Sequence, residues 1–378
     1  MTAIRPFTLA IEQHRLDDLH VRLGNARWPE KETVDDWSQG VPLAALRGLV
    51  DHWRHGYDWR VCEARLNALG QFVTAIDGLD IHFLYVRSPH EDALPLVLTH
   101  GWPGSVVEFL EVIGPLVDPV AHGGRAEDAF HLVIPSLPGY GFSGKPAATG
   151  WGVERIARAW AELMRRLGHA RWVAQGGDWG AFVTHQIGML APQGCLGIHL
   201  NMPIAGPTAE ARAAPGEEDR HAFARMEYYK QWDSGYSTQQ GTRPQTLGYG
   251  LVDSPVAQAA WIYEKLHFWS DHAGDACAVL GRDRVLDNVM LYWLTASGAS
   301  SARLYWESFG KTRMGAVQLP AAGSAFPKEI LPAPRSWAER RLKTIVYWNA
   351  CERGGHFAAW EQPALFVAEL RKAFALMR

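Results

Sequence analysis

The sequence predicts an α/β protein in which a mostly parallel, doubly wound sheet carries two helical additions. Three observations support this fold class. Short apolar segments alternate with helical ones from about residue 94 to residue 190, which is typical of parallel strands with crossover helices. The apolar period is helical in residues 1–70 and again in 203–312. Strand-like segments return near residues 324 and 343, so the second helical block interrupts the sheet.

These changes of period divide the chain into four segments. Residues 1–75 are expected to form a helical N-terminal extension packed on the core, and 76–202 the first part of the α/β core. Residues 203–312 are expected to form a helical cap or lid, and 313–378 the second part of the core. A helical block inserted between strands is expected to cover the carboxyl ends of the strands, where open α/β sheets bind ligands.

The individual elements follow from local patterns. In the N-terminal extension, Leu16, Leu19, Val21 and Leu23 lie among charged residues, and a second set from Leu43 to Trp53 falls near helical spacing. Strands at 72–76 and 81–86 flank Asp77-Gly78, a strong hairpin signal. In the core, the sequence then predicts strands at 94–99 and 130–134, a strand-like segment that begins at 173, helices at 106–116, 153–167 and 181–190, and a closing helix at 363–376.

Composition excludes several classes of protein. The net charge of −3 gives no reason to expect nucleic acid or an anionic membrane as a partner. The four cysteines are scattered, as expected for reduced thiols in a cytoplasmic protein. Residues 1–7 contain no apolar signal segment, and no apolar run approaches the ~20 residues that span a bilayer.

Neither a metal nor a cofactor is expected. The sixteen histidines show no metal-ligand spacing. Residues 139–144 match the Gly-x-Gly-x-x-Gly spacing of a dinucleotide loop, but prolines separate them from the strand and Lys145-Pro146 follows where a helix should open. We interpret this segment as a loop at the carboxyl edge of the sheet.

The most informative motif is the strand-to-helix junction at 173–180. Asp178 lies between Gly176 and Gly180, in the layout of a nucleophile elbow that usually carries Ser. The small flanking residues allow the strained turn that presents the central side chain. A carboxylate is ionised at neutral pH and can attack an alkyl carbon without a base, leaving an enzyme ester that water must cleave. The alternative interpretation is an Asp that only caps the following helix.

A base and an acid can be assigned next. His356 follows two glycines after the last predicted strand, and it is in the position where the elbow fold places the histidine that activates water. Glu329 directly follows a strand-like segment and is a candidate for the acid that orients this histidine. From spacing alone, Asp283, Asp287 and Glu352 are rivals of Glu329.

An oxyanion hole is predicted at a second loop. The segment His100-Gly101-Trp102-Pro103 ends a predicted strand, and the backbone N–H groups of Trp102 and Trp179 are plausible donors to a developing oxyanion. The alternative interpretation is an ordinary Gly-Pro turn.

Together these motifs resemble those of the epoxide hydrolases of the α/β-hydrolase fold, in the branch of the microsomal enzymes and their bacterial and fungal relatives. The similarity covers nearly the whole chain, including 4–29, which resembles that branch's N-terminal domain. Its most specific marks are 177–180 and 354–357. The membrane-bound members carry an N-terminal anchor, whereas this chain begins with the domain itself, so a bacterial-type cytoplasmic enzyme is expected.

The resemblance adds roles for particular residues. It implies Asp178 as nucleophile and His356 as base, and it favours Glu329 because the family's acid lies in a context like 325–329 here. It also implies two lid tyrosines, Tyr236 and Tyr305, as donors to the epoxide oxygen. A phenol with a pKa near ~10 can protonate the alkoxide that ring opening creates. Five further tyrosines are credible substitutes: Tyr140, Tyr228, Tyr229, Tyr249 and Tyr292.

The predicted activity is conversion of an epoxide and water to a 1,2-diol through an ester on Asp178. The expected partner is a small apolar or aromatic epoxide, given the aromatic residues in 226–306, and a homodimer is one expectation for the oligomeric state. A haloalkane or haloacid dehalogenase could use the same Asp, His and acid, with indole N–H groups binding halide. A non-catalytic small-molecule binding protein is the alternative from a different class.

Overall fold

The computed structural model describes residues 3–378; Met1 and Thr2, which the sequence assigns to the N-terminal extension, lie outside the described residues. One sheet of nine strands forms its centre, in the order β1-β2-β3-β5-β4-β6-β7-β8-β9. The strands are β1 (Arg5–Pro6), β2 (Gln71–Ile76), β3 (Leu79–Val86), β4 (Leu94–Thr99), β5 (Phe130–Pro135), β6 (Trp172–Gly176), β7 (Cys195–Leu200), β8 (Ala321–Ala325) and β9 (Ile345–Ala350).

The sheet is antiparallel at one end and parallel through the rest. β1, β2, β3 and β5 pair antiparallel in turn, whereas β5, β4, β6, β7, β8 and β9 are all parallel. The predicted α/β class with a mostly parallel sheet is confirmed. Because the parallel strands all end at the same edge, the loops after β4, β6, β8 and β9 are brought together there.

Helices cover both faces of the sheet. Three lie between β1 and β2: α1 (Gln13–Gly24), α2 (Leu43–His55) and α3 (Trp59–Asn67). Within the core are α4 (Leu110–Val117), α5 (Val153–Arg166) and α6 (Asp178–Leu190). Between β7 and β8 lie α7 (Ala209–Ala213), α8 (Glu217–Tyr228), α9 (Gly235–Thr242), α10 (Pro244–Asp253), α11 (Pro255–Trp269), α12 (Ala276–Leu280), α13 (Arg282–Leu294) and α14 (Gly298–Ser308). The chain ends with α15 (Arg335–Ala338), α16 (Ala358–Glu361) and α17 (Pro363–Ala375).

Short irregular turns complete the secondary structure. The predicted helix at 106–116 begins as a 3₁₀ turn, Val106–Phe109, before α4. Two more 3₁₀ turns are Val120–His122 and Ala126–Asp128, and a π-helical turn, Tyr229–Asp233, joins α8 to α9. π-Helical turns are often found at functional sites, and this one directly precedes Tyr236.

The hairpin forms where the sequence predicts it. Asp77 and Gly78 both have positive φ, at 51° and 80°, as a two-residue turn between twisted strands requires. Phe83 and Leu84 on β3 are fully buried. The strand therefore contributes side chains to the core from both of its faces.

The N-terminal segment packs against both the sheet and the inserted helices. Leu16, Leu19 and Leu23 of α1 are buried, whereas Val21 is 60% exposed and faces solvent. α1 and α2 contact α11, and α3 contacts α13. β1, which the sequence did not predict, adds an edge strand beside β2.

The inserted helices are held together partly by a buried ion pair. Lys265 on α11 lies 2.7 Å from Asp233, and both side chains are nearly inaccessible to solvent. The second oxygen of Asp233 accepts the indole N–H of Trp269 at 2.7 Å. This network fixes the end of α11 close to the loop that carries His356. In residues 3–378, no helix is long and apolar enough to cross a membrane.

Candidate active site

Asp178 occupies a sharp turn between β6 and α6. Its φ of 48° lies in the left-handed region that a side chain other than glycine rarely adopts. The flanking glycines are required by close backbone contacts. A Cβ on Gly176 would lie 2.1 Å from the carbonyl oxygen of Gly180, and a Cβ on Gly180 would lie 1.9 Å from that of Thr99. The elbow therefore has the strained geometry of an exposed nucleophile.

The two oxygens of the Asp178 carboxyl group face different partners. The backbone N–H of Trp102 donates to Oδ1 at 2.8 Å. Oδ2 lies 3.2 Å from Nε2 of His356. In the part of the chain that the structure describes, no hydrogen bond joins the N–H of Trp179 to this carboxyl group. Of the two predicted oxyanion donors, Trp102 is already in contact with Asp178.

The loop after β4 is positioned by His100. Its Nε2 accepts the N–H of Leu137 at 3.2 Å, so its proton is on Nδ1, which donates to the carbonyl of Gly101 at 2.9 Å. Burial lowers the pKa of His100 to about 4, which keeps the ring neutral for this arrangement. A Cβ on Gly101 would lie 2.2 Å from Oδ1 of Asp178, so only glycine fits beside the carboxylate. The Trp102–Pro103 peptide bond that follows is cis.

His356 and Glu329 form a buried pair beside the elbow. Nδ1 of His356 lies 2.7 Å from Oε1 of Glu329, and each side chain is 2% exposed. Burial alone would lower the pKa of His356. The charge of Glu329, the close contact with Asp178, the hydrogen bond with Glu329 and the charge of Asp178 together raise it well above 6.5. The imidazole is therefore protonated while Asp178 carries its charge.

The rival acids have other partners or lie at the surface. Asp283 lies 2.6 Å from His52, and Asp287 accepts the hydroxyl of Tyr57 at 2.8 Å. Glu352 is exposed in the loop after β9. The structure thus brings Glu329 to His356 and leaves the other three carboxyl groups apart from it.

A second carboxylate, to which sequence reasoning gave no role, shapes the histidine loop. Glu361 accepts the backbone N–H groups of Gly355, Phe357 and Asp271 at 2.9, 2.8 and 2.6 Å. The N–H of His356 itself donates to the carbonyl of Trp269 at 2.9 Å. The loop is therefore fixed by backbone contacts as well as by Glu329. The sequence signal that could have indicated this role is the position of Glu361, among apolar residues shortly after His356.

The two predicted tyrosines lie above the elbow. Tyr236 stacks on Trp102 with ring centroids 4.9 Å apart, and Tyr305 packs edge-on against Trp179 at 4.7 Å. The two phenol rings are 5.7 Å apart. Burial, followed by the neighbouring phenol groups and Asp178, raises the pKa of Tyr236 well above 10, and burial and Asp178 do the same for Tyr305. Both are neutral hydrogen-bond donors at working pH.

The substitute tyrosines are arranged differently. The hydroxyl of Tyr140 donates to the carbonyl of Ser301, and that of Tyr292 donates to the carbonyl of Gly104. Tyr228 and Tyr249 are 40% and 68% exposed. Tyr229 donates to Ser237 and lies 3.2 Å from the hydroxyl of Tyr236, so it is a neighbour of the pair.

In residues 3–378, no group of three or more His, Cys, Asp or Glu side chains could hold a metal ion.

Comparison with known proteins gives the family. A family model described as "Epoxide hydrolase N terminus" matches residues 4–109, and one described as "alpha/beta hydrolase fold" matches residues 95–240. Together they span the N-terminal segment, the elbow and the first inserted helices.

Individual relatives extend the match to the whole chain. A "Putative epoxide hydrolase" of Stigmatella aurantiaca is 56% identical over 99% of this chain and 86% of its own length. "Epoxide hydrolase 1" of Sus scrofa is 34% identical over 99% of this chain and 89% of its own length. The structure of the Aspergillus niger epoxide hydrolase superposes with a TM-score of 0.89 at 34% identity, covering 100% of this chain and 97% of that one. The chain therefore belongs to the epoxide hydrolase family of the α/β-hydrolase fold.

Proposed function

We propose that this protein converts an epoxide to a 1,2-diol in two steps through an ester on Asp178. The observation that carries the proposal is the arrangement around one carboxylate. Asp178 is held between the N–H of Trp102 and the imidazole of His356, and two buried phenols lie on the side of the inserted helices. Family membership supports the same reaction.

In the first step, Oδ2 of Asp178 attacks an epoxide carbon while Oδ1 stays on the N–H of Trp102. The C–O bond of the ring breaks, and the alkoxide takes a proton from Tyr236 or Tyr305. Their high pKa values keep both phenols protonated until an alkoxide, a stronger base, appears beside them. No base is needed to activate the nucleophile.

The second step uses the change in charge that the first one causes. When Asp178 becomes a neutral ester, two of the contacts that raise the pKa of His356 are lost. The imidazolium gives its Nε2 proton to the phenolate left by the first step, and the neutral imidazole can then act as a base, with Glu329 stabilising the imidazolium that forms again. Water loses one proton to Nε2 and its oxygen bonds to Cγ of Asp178. The oxyanion forms on Oδ1, the ester C–O bond breaks, and the second water proton goes to the leaving alkoxide, so Asp178 is again a carboxylate and His356 an imidazolium.

Isotope labelling in a single turnover tests the ester mechanism. The protein in excess would react with styrene oxide in water enriched in heavy oxygen, and the peptide that carries Asp178 would be weighed. We expect the heavy oxygen in the Asp178 carboxyl group and an original carboxyl oxygen in the diol. Label in the diol with none in this peptide would contradict the proposal.

Substitution of both tyrosines separates this activity from dehalogenation. The double variant Tyr236→Phe, Tyr305→Phe should lose styrene oxide turnover by about 10²- to 10⁴-fold, the usual contribution of a general acid. Tyr249→Phe is the matched control, since Tyr249 is 68% exposed. Halide release from a haloalkane that survives the double substitution, with no diol from styrene oxide in the wild type, would favour the dehalogenase. Saturable binding of both compounds with no turnover would favour a binding protein.

Further proposals concern the substrate class, the compartment and the oligomeric state. Rings of Trp102, Trp179 and Trp269 surround the phenol pair, which favours small apolar or aromatic epoxides as substrates. The four cysteines are free, as in the reducing cytoplasm, where we place the enzyme. A homodimer is the oligomeric state we propose to test by light scattering.

A further inference from the structure

A small cavity lies against the Asp178–His356 pair. It measures about 20 Å³ and is lined on its polar side by Asp178, His356, Asn201 and Glu108. A site of this volume holds about one water molecule, provided that two to four polar groups surround it. Apolar walls from the loop after His356, including Phe357 and Ala358, close much of the remainder. The cavity therefore has the size and polarity of a binding site for a single water.

Nε2 of His356 borders this cavity and loses its charged neighbour when the ester forms. It is buried and lies 3.2 Å from Oδ2 of Asp178, in a geometry outside that of a hydrogen bond. Once Asp178 is a neutral ester, a buried ring nitrogen without a partner is costly, and a water in the cavity would satisfy it. The same water would lie beside the carboxyl carbon of Asp178.

Glu108 supplies a carboxyl group to this cavity. It lies on the 3₁₀ turn Val106–Phe109, and its Oε1 would be 1.4 Å from a Cβ placed on Gly104. Glycine at position 104 thus leaves the space that the carboxyl group occupies. Among the described residues, Glu108 forms no ion pair with a lysine or arginine. Burial raises the pKa of Glu108 to about 8, with His356 opposing and Asp178 adding to the effect. A carboxyl group that stays protonated in a cleft beside a nucleophile is a candidate functional group.

We propose that Glu108 is a further catalytic residue, which holds the water that cleaves the Asp178 ester. The inference rests on the proposed function. The water donates one hydrogen to the carbonyl oxygen of the Glu108 carboxyl group and gives its other proton to Nε2 of the neutral imidazole of His356. A lone pair of its oxygen points to Cγ of Asp178. The O–H bond breaks towards nitrogen, the new C–O bond forms at Cγ, and the electron pair of the carbonyl moves to Oδ1.

The competing explanation is that Glu108 has a purely structural role. The nearby backbone N–H groups of Ser105 and Gly101 lower the pKa of Glu108, so the side chain also lies against the loop that carries Trp102. A purely structural role would affect both half-reactions together, because Trp102 contacts Asp178 before and after the ester forms. A water-binding role would affect only ester hydrolysis.

The test measures the two half-reactions separately in the full-length enzyme. Glu108→Gln keeps the shape and one acceptor, and Glu108→Leu removes all polar contact with the water. Glu111→Gln is the matched control. Glu111 lies on α4 and its carboxyl group is paired with Arg65 at the surface. Styrene oxide would be mixed with excess enzyme, and intact-protein mass would follow the formation and the loss of the ester adduct.

We expect adduct formation within about threefold of the wild type in both Glu108 variants. Adduct loss should slow by about tenfold in Glu108→Leu, the value of one hydrogen bond of about 1.4 kcal/mol, and less in Glu108→Gln, whose amide keeps an acceptor for the water. Adduct loss within threefold of the wild type in both variants, an equal fall in both steps, or failure of both variants to fold would overturn the proposal. Wild-type enzyme that never forms the adduct would instead refute the proposed function itself.

Discussion

The charge of Glu329 is expected to act on ester hydrolysis far more than on ester formation. The substitution Glu329→Gln keeps the volume and a carbonyl that can accept the Nδ1 proton of His356, but it removes the negative charge. Ester formation needs no proton transfer to His356. Hydrolysis converts the imidazole to an imidazolium that has lost its second counter-charge, because the esterified Asp178 is neutral.

The structure sets the size of this effect. Nδ1 and Oε1 are 2.7 Å apart and both side chains are 2% exposed. With charge centres about 4 Å apart and an effective dielectric constant of about 20, the attraction is about 4 kcal/mol. A loss of that size from the transition state slows hydrolysis by about 10³-fold.

Rapid mixing followed by intact-protein mass measurement provides the assay. With Glu329→Gln and styrene oxide, the ester adduct should build up to nearly one equivalent and decay about 10³-fold more slowly than in the wild type. Glu352→Gln is the matched control, because Glu352 was a rival for the same role and is exposed. A folded Glu329→Gln enzyme whose adduct decays within about tenfold of the wild-type rate would refute the reasoning.

Three further predictions concern stability. Gly180→Ala places a Cβ 1.9 Å from the Thr99 carbonyl and should lower the free energy of unfolding by about 1–3 kcal/mol or more, whereas Gly250→Ala, with nothing within 4 Å, should not; urea titration compares them. Lys265→Met leaves the buried Asp233 without its ion-pair partner and should lower the free energy of unfolding by about 3–5 kcal/mol. The control is Asp253→Asn, which removes the exposed partner of Arg22 and should lower it by only about 0–1 kcal/mol. Equal midpoints for the two variants in thermal melts would contradict this prediction. Burial lowers the pKa of His82 in the folded protein to about 3, so the stability that the neutral ring contributes is complete above pH 6.5 and falls by about 1.4 kcal/mol per pH unit below it. In urea titrations from pH 7 to pH 4.5, the free energy of unfolding should therefore fall less steeply with decreasing pH in His82→Gln than in the wild type. An unchanged slope would count against the assignment.

The fold could be predicted largely because its signals are local. The Asp77-Gly78 turn, the alternation of apolar strands with amphipathic helices, and the glycines around Asp178 each depend on neighbours within a few residues. β1 was missed because a two-residue strand has no period of its own and exists only by pairing with β2. β7 was missed although Leu196, Ile198 and Leu200 alternate along Cys195–Leu200, because a six-residue segment with Gly197 and His199 between them gives only a weak strand signal.

The site residues likewise differ in whether local sequence signals could identify them. Asp178 and His356 are marked by glycines that any strained loop needs, so the sequence could single them out. Glu329 could not be chosen over its rivals by spacing, because only the packing of β8 beside β9 determines which carboxyl group reaches the imidazole. The catalytic roles of Asp178, His356 and Glu329 stay predictions that the labelling and substitution experiments test.

The sequence by itself determined the α/β class, the elbow and the histidine loop, since each is encoded by apolar period and by glycines next to the residue concerned. Tertiary structure alone decided the contacts between distant segments. It placed Tyr236 and Tyr305 against the indoles above Asp178, and it enclosed Glu108 with His356 around a space for one water. The physical reason is that hydrogen bonds, charge and burial act over a few ångströms in space, whatever the separation of the residues along the chain.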